Sequence, residues 1–238
     1  MERRVALVTG VEGVLGAEIV KHLARNGYAV ALACSDDFER ARALERLCAL
    51  QGVETLLLSG DIHVNGTCSK WVADIITFFQ RLDVLICNVG YHSKWLEVRD
   101  DDEFLQGMQQ ELGDLTELMK SASQPMEHFK QGRIVALSPP CGLVNNSRDS
   151  LLSSSVDAMT RAMAKKFAVH NITVNSVLPG VIDLPDYVVS ANSDALLDIP
   201  LGRLGKPSEI TDAIGFLLSN AASYVTGMSL PVDGGVRL

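Results

Sequence analysis

Short runs of aliphatic and β-branched residues alternate with segments of helical period along the whole chain. The strand candidates are Val5–Val8, Ala29–Ala33, Glu54–Leu58, Val84–Cys87, Arg133–Leu137, Thr173–Leu178 and Ser229–Val232. The helix candidates, which have apolar residues at three- and four-residue intervals, are Leu15–Asn26, Asp37–Leu50, Cys68–Arg81, Asp102–Lys120, Ser153–Val169 and Ser208–Leu218. This alternation is typical of parallel strands joined by right-handed helical crossovers. The sequence therefore predicts an α/β fold with a doubly wound, seven-stranded parallel sheet and helices on both faces.

No internal repeat, low-complexity tract or linker divides the 238 residues. Apolar residues make up 47% of the chain and charged residues 21%, which suits one large buried core in a globular protein. We therefore expect a single domain over residues 1–238. The segment Val181–Leu201 has weak periodicity and two prolines, so it is predicted to leave the sheet and to cover a ligand crevice.

Charge and cysteine usage exclude several classes of partner. The formal net charge is −8 and the cationic residues are scattered, so neither nucleic acid nor an anionic membrane is an expected partner. The five cysteines lack CxxC spacing and the five histidines lack ligand spacing, which disfavours disulfides and metal sites. With no signal peptide and no apolar run of about 18 residues, a cytoplasmic location is expected.

The first strand runs directly into Thr9-Gly10-Val11-Glu12-Gly13-Val14-Leu15-Gly16 and then into a helix. In this context a glycine-rich turn presents backbone N–H groups to a pyrophosphate, as in Rossmann-like folds. Further landmarks follow in order: Asp61-Ile62, Asn88-Val89-Gly90, Asn175, Pro179-Gly180, Pro200-Leu201-Gly202-Arg203 and Val232-Asp233-Gly234-Gly235. With these landmarks the whole chain resembles the short-chain dehydrogenase/reductases, and its C-terminal part is most similar to the 3-oxoacyl-carrier-protein reductases.

The resemblance implies a set of cofactor-binding positions at the carboxyl edge of the sheet. They are Thr9, Gly10, Gly16, Asp61, Ile62, Asn88, Gly90, Pro179, Gly180 and Ile182. The same loop departs from the family pattern, because Val14 replaces a glycine and Glu12 brings a carboxylate to a diphosphate site. The second strand ends in Cys34-Ser35 where the family places an Asp for NAD. We therefore expect NADP(H) if any nucleotide, bound weakly or not at all.

The resemblance also implies where catalytic residues would stand. The family uses a tyrosine, a lysine four residues later, a serine and a helical asparagine to move a proton. Those positions hold Asp149, Ser153, Pro139 and Glu111, with Ser138 beside the proline. No tyrosine in the chain has a lysine four residues later, so a change of alignment does not restore the pair. No catalytic residue of the family is intact.

Two interpretations of these replacements remain open. Asp149, near Ser138 and Glu111, could act as a general acid if burial raised its pKa. Alternatively, Asp149 is a solvated loop residue and Ser153-Ser154-Ser155 caps the following helix. The chain is accordingly a non-catalytic subunit, an NADPH-dependent 3-oxoacyl thioester reductase with an unconventional proton donor, or a small-molecule sensor.

Assembly is the property that the remaining pattern supports. By resemblance, the helices Asp102–Lys120 and Ser153–Val169 and the C-terminal strand form dimers and tetramers. The second helix carries an apolar stripe of Val156, Met159, Met163 and Phe167, wide enough for a core face and a partner face. The expected partners are copies of the same chain, an active ketoreductase paralogue, or both.

Overall fold

The computed structural model describes residues 3–35, 37–88, 100–139, 147–184 and 199–237. The strands are β1 (Val5–Thr9), β2 (Ala29–Cys34), β3 (Thr55–Ser59), β4 (Val84–Asn88), β5 (Gly132–Leu137), β6 (Ile172–Pro179) and β7 (Ser229–Val232). The helices are α1 (Val14–Arg25), α2 (Phe38–Leu50), α3 (Thr67–Phe79), α4 (Asp101–Phe129), α5 (Ser147–Phe167) and α6 (Pro207–Leu218).

The seven strands form one parallel sheet in the order β3-β2-β1-β4-β5-β6-β7, which confirms the predicted doubly wound architecture. All residues of β1, β2 and β5 are buried, because helices cover both faces of the sheet. The strand order reverses between β1 and β4, so the connections from these strands leave in opposite directions. A crevice opens at the carboxyl ends of such strands, and ligands of doubly wound proteins bind there.

Two apolar clusters fill the space between the sheet and its helices. Trp71 of α3, Met119 of α4 and Phe167 of α5 belong to the cluster on one face. Leu23 of α1 and Ile214 of α6 belong to the cluster on the other face, together with residues of α2. Over the described ranges, no helix is both long enough and apolar enough to cross a bilayer.

Helix α4 is longer than predicted, since the expected end was Lys120 and the helix continues through Pro125 to Phe129. Proline removes a backbone hydrogen bond and costs about 3 kcal/mol inside a helix. The extension is compensated by burial, because the side chains of Ala122 and Met126 are fully enclosed in the core. The predicted end was wrong because burial of these two side chains outweighs the cost of the proline.

Helix α5 begins at Ser147 rather than at the predicted Ser153, so the three serines are not its cap. Leu152 is fully buried, which extends the core-facing stripe by a turn. The Ser155 hydroxyl donates to the carbonyl of Leu151, four residues earlier, as serines within helices do. Asp149 therefore lies in the first turn of a helix and not in a loop.

Replacing Gly16 by Ala should destabilise the protein, whereas the same change at Gly113 should stabilise it. Both glycines lie in helices, where Ala is favoured by about 1 kcal/mol. A Cβ at Gly16 would overlap the carbonyl oxygen of Gly10, whereas the described residues leave the space around Gly113 open. We expect Gly16→Ala to lower the free energy of unfolding by about 1–3 kcal/mol or more, measured by urea denaturation. Equal effects of the two changes would contradict the close contact.

Candidate functional site

The turn after β1 is fixed to the end of β4 at the point where the strand order reverses. Gly10 has φ of +63°, a conformation that glycine adopts without strain. The side-chain amide of Asn88 donates to the carbonyl of Gly10 at 3.2 Å, and its backbone N–H donates to the Thr9 hydroxyl at 3.0 Å. Gly16 then allows α1 to pack directly on this turn. Four of the predicted cofactor-binding positions are thereby brought together.

Glu12 places a carboxylate in this crevice. Its Oε1 accepts a hydrogen bond of 2.9 Å from the hydroxyl of Ser35, the residue that follows β2. Its Oε2 is buried, with no hydrogen-bond partner in the described part of the chain. The guanidinium of Arg40 donates to the main-chain carbonyl of Glu12 at 3.3 Å. The loop therefore holds its own anion beside the N-terminus of α1.

The residues of this crevice fit a dinucleotide only in part. Gly10 and Gly16 supply the turn and the close helix contact, and the buried Oδ1 of Asn88 lacks a partner within the described ranges. The Glu12 carboxylate, in contrast, carries the same sign of charge as a diphosphate and would repel it. Val14 is packed partly into the core as the first residue of α1. In this arrangement the crevice does not fit an NADP(H) diphosphate.

Asp61 and Ile62 follow β3, and their described contacts are with the adjacent turn and the core. The Asp61 carboxylate accepts from the backbone N–H of His63 at 2.9 Å, and Ile62 packs against the core. The His63 ring lies 2.6 Å from the Asp114 carboxylate of α4. Burial lowers the pKa of His63, but the Asp114 hydrogen bond and the charge of nearby Glu111 outweigh burial and raise it. Glu111, at the family's asparagine position, thus contributes to this ionic cluster.

The part of the chain that the structure describes contains no group of three or more His, Cys, Asp or Glu side chains placed to hold a metal ion.

Pro179 and Gly180 end β6 and position the C-terminal segment. A Cβ at Gly180 would lie 2.6 Å from the Cα of Asp233, so only glycine allows this approach. Ile182 is buried and forms a parallel bridge with Gly205. These positions shape the crevice wall by packing. Gly90, the remaining predicted cofactor-binding position, lies outside the described residues.

At the catalytic positions the structure brings two hydroxyl groups together. The Ser138 hydroxyl donates to the Ser153 hydroxyl at 2.9 Å, and their exposed fractions are 0% and 3%. A guanidinium N–H of Arg237 also donates to the Ser153 hydroxyl, at 3.3 Å. Pro139 offers no hydroxyl, and Asp149 lies one helical turn before Ser153. Sequence reasoning missed both pairings, because no spacing rule connects residues so far apart in the chain.

Among the described side chains that bond to Ser138 and Ser153, none titrates near neutral pH. The Ser138 and Ser153 hydroxyls bond to each other, to the Pro139 carbonyl and to a guanidinium, and none of these described partners is a base that could activate them. Burial raises the pKa of the Cys87 thiol in β4, so that thiol is not an activated nucleophile. Burial also raises the pKa of the Tyr28 phenol, whereas the family's chemistry needs a lowered one.

A double-mutant cycle on Ser138 and Ser153 should show coupling between them. Ser138→Ala or Ser153→Ala alone removes the bond between the two buried hydroxyls and leaves the remaining one with a 3.3 Å contact to Arg237 or to the Pro139 carbonyl, which costs about 1–3 kcal/mol. The double variant should cost less than the sum, because no unpaired hydroxyl of the pair remains. Ser155→Ala, in the same helix but exposed, is the matched control and should change the free energy of unfolding by less than about 0.5 kcal/mol. Additive costs in urea denaturation would mean that the hydroxyls do not interact.

Comparison with known proteins agrees with the fold. A family model described as enoyl-(acyl carrier protein) reductase matches residues 10–237. The chain is 32% identical over 245 residues to nodulation protein G of Azospirillum brasilense and, over the same length, 32% identical to the 3-oxoacyl-(acyl-carrier-protein) reductase FabG of Pseudomonas aeruginosa. Each alignment covers 100% of this chain and 99% of the relative.

The solved structure of acetoin dehydrogenase from Enterobacter cloacae matches with a TM-score of 0.86 at 27% identity, covering 99% of this chain and 96% of that one. The predicted likeness to 3-oxoacyl-carrier-protein reductases is confirmed by these relatives. The chain belongs to the short-chain dehydrogenase/reductase family.

Proposed function

We propose that this chain is a non-catalytic member of its family that serves as a subunit of a ketoreductase-type oligomer. The observation that carries the proposal is the Ser138–Ser153 pair. The family's lysine position holds a buried hydroxyl that bonds to a second hydroxyl, so no ammonium stands there to lower the pKa of a proton donor. The side chain at the tyrosine position is a carboxylate, Asp149, and not a phenol.

Exposed apolar side chains support the assembly part of the proposal. Leu105 of α4 and Leu151 of α5 are 47% and 44% exposed, and Met228 beside β7 is 47% exposed. The starts of α4 and α5 lie side by side, because Arg148 forms an ion pair of 2.6 Å with Asp101. The two leucines therefore belong to neighbouring helix ends, on the elements expected to form the oligomer.

The isolated chain should not oxidise NADPH or NADH above background in the presence of an acetoacetyl thioester. General acid catalysis contributes about 10²- to 10⁴-fold, and the positions that would supply it hold other residues. The measurement is the absorbance of the reduced nucleotide over time, followed by an assay for reductase that co-purifies with the chain. Turnover at an ordinary enzymic rate by the isolated chain would refute the proposal.

A second candidate function is an NADPH-dependent 3-oxoacyl thioester reductase in which Asp149 is the proton donor. It is supported by the 32% identity to a protein named 3-oxoacyl-(acyl-carrier-protein) reductase and by the position of Asp149 one turn before Ser153. If turnover is found, Asp149→Asn separates the two outcomes. A loss of 10²-fold or more would identify the donor, and unchanged turnover would exclude Asp149.

Charges introduced on the shared surface of α4 and α5 should dissociate the oligomer. We expect Leu105→Glu and Leu151→Glu each to lower the mass measured by size-exclusion chromatography with light scattering, because a desolvated carboxylate at an interface is costly. Leu50→Glu on α2 is the control, since Leu50 is 85% exposed on an element outside the proposed surface. An unchanged mass in both interface variants, or a monomeric parent protein, would contradict the proposed assembly.

A further inference from the structure

We propose that the Glu12 side chain occupies the nucleotide crevice and that this single side chain is the main reason why a dinucleotide is excluded. This inference goes beyond the proposed function, because it concerns binding and not proton transfer. It assigns a specific cause to weak nucleotide binding. It also predicts that most of the binding machinery is still in place.

The first argument is the position of the carboxylate between two elements. Glu12 lies in the turn after β1, and its partner Ser35 directly follows β2. The hydrogen bond of 2.9 Å therefore spans the gap between the carboxyl ends of two neighbouring strands, beside the glycine-rich turn. A nucleotide ribose and its phosphates would have to enter this gap. The Glu12 side chain closes it from within the protein.

The second argument is electrostatic. The N-terminus of a helix attracts an anion, and the first turn of α1 contains no acidic residue. Its N-cap residue, Gly13, has no side chain to satisfy the free N–H groups. Glu12, which immediately precedes Gly13, brings the negative charge that a phosphate would otherwise bring. The carboxylate lies in the loop that leads into α1 and would repel a second anion there.

The third argument is that Glu12 is held on two sides. Its side chain bonds to Ser35, and its main-chain carbonyl accepts from the guanidinium of Arg40. Arg40 in turn forms an ion pair of 3.4 Å with Asp37 at the start of α2. The Arg40 contacts hold the main chain of the loop, and the carboxylate itself is held by Ser35 at Oε1, while its Oε2 is buried. A ligand would have to displace a carboxylate in this position.

Apart from Val14, which stands where the family has a glycine, the described part of the turn retains the geometry that nucleotide binding requires. Gly10 keeps its positive φ, Gly16 keeps the close helix contact, and Asn88 still links β4 to the turn. Removal of one side chain should therefore recover binding.

The test uses the full chain and isothermal titration calorimetry with two probes, NADPH and adenosine 2′,5′-bisphosphate. The second probe carries only the adenosine end of the cofactor. Glu12→Ala removes both the charge and the volume of the side chain, and Glu12→Gln removes the charge alone. Glu18→Gln is the matched control, because Glu18 lies on α1, which follows the Glu12 turn, and pairs with Lys21 instead of entering the crevice. Circular dichroism verifies that each variant is folded.

We expect Glu12→Ala to lower the dissociation constant of both probes by at least about tenfold, and Glu12→Gln by a smaller factor. Glu18→Gln should leave both constants unchanged. An unchanged constant, or no binding, in both Glu12 variants would overturn the inference, as would parent protein that binds as tightly as Glu12→Ala. A gain for NADPH without one for the bisphosphate would place the obstruction at the other end of the cofactor and overturn it too.

The titrations do not depend on turnover, so the two proposals fail separately. A Glu12→Ala variant that binds NADPH and reduces nothing supports both of them. A parent chain that reduces the thioester refutes the proposed function by its own assay. A Glu12→Ala variant that fails to bind refutes only the role of Glu12.

Discussion

The close contact between the turn after β1 and the end of β4 is the constraint on which the rest of the structure depends. The absence of a side chain at Gly16 allows α1 to approach the turn, and the absence of one at Gly10 leaves room for Asn88, which fastens that turn to the neighbouring strand. The carboxyl ends of β1 and β4 are thereby fixed where the strand order reverses. Because loops from the other strands converge on the same edge, any ligand site of this chain is bounded by that contact.

The fold could be predicted closely because its strands are buried on both faces. Continuous apolar runs such as β2 and β5 leave few alternatives to a parallel sheet covered by helices. Helix ends were predicted less well, since Pro125 and the serines after Leu152 are local stop signals that burial of adjacent side chains overrides. Local chemistry predicted where helices could end, and tertiary packing determined where they do.

The site could be predicted at the level of positions but not of contacts. Motif spacing indicated that Ser138, Ser153 and Glu12 stand where the family has functional groups. It could not indicate that two of them bond to each other, because their separation along the chain is 15 residues and the pairing depends on how α5 packs on β5. The partner of Glu12 was equally hidden, since Ser35 belongs to another βα unit. Contacts between loops depend on how the strands are arranged in the sheet, and they have no periodic pattern in the sequence.

The guanidinium of Arg237 lies close to the Ser153 hydroxyl, so the residue types that fit at positions 153 and 237 depend on each other. A lysine placed at position 153 would put a second cation within a few ångströms of the first, in surroundings that exclude most water. Arg237 already forms an ion pair of 3.7 Å with Asp233, so that one carboxylate would have to balance two cations. The family's lysine at position 153 and an arginine at position 237 therefore disfavour each other by like-charge repulsion.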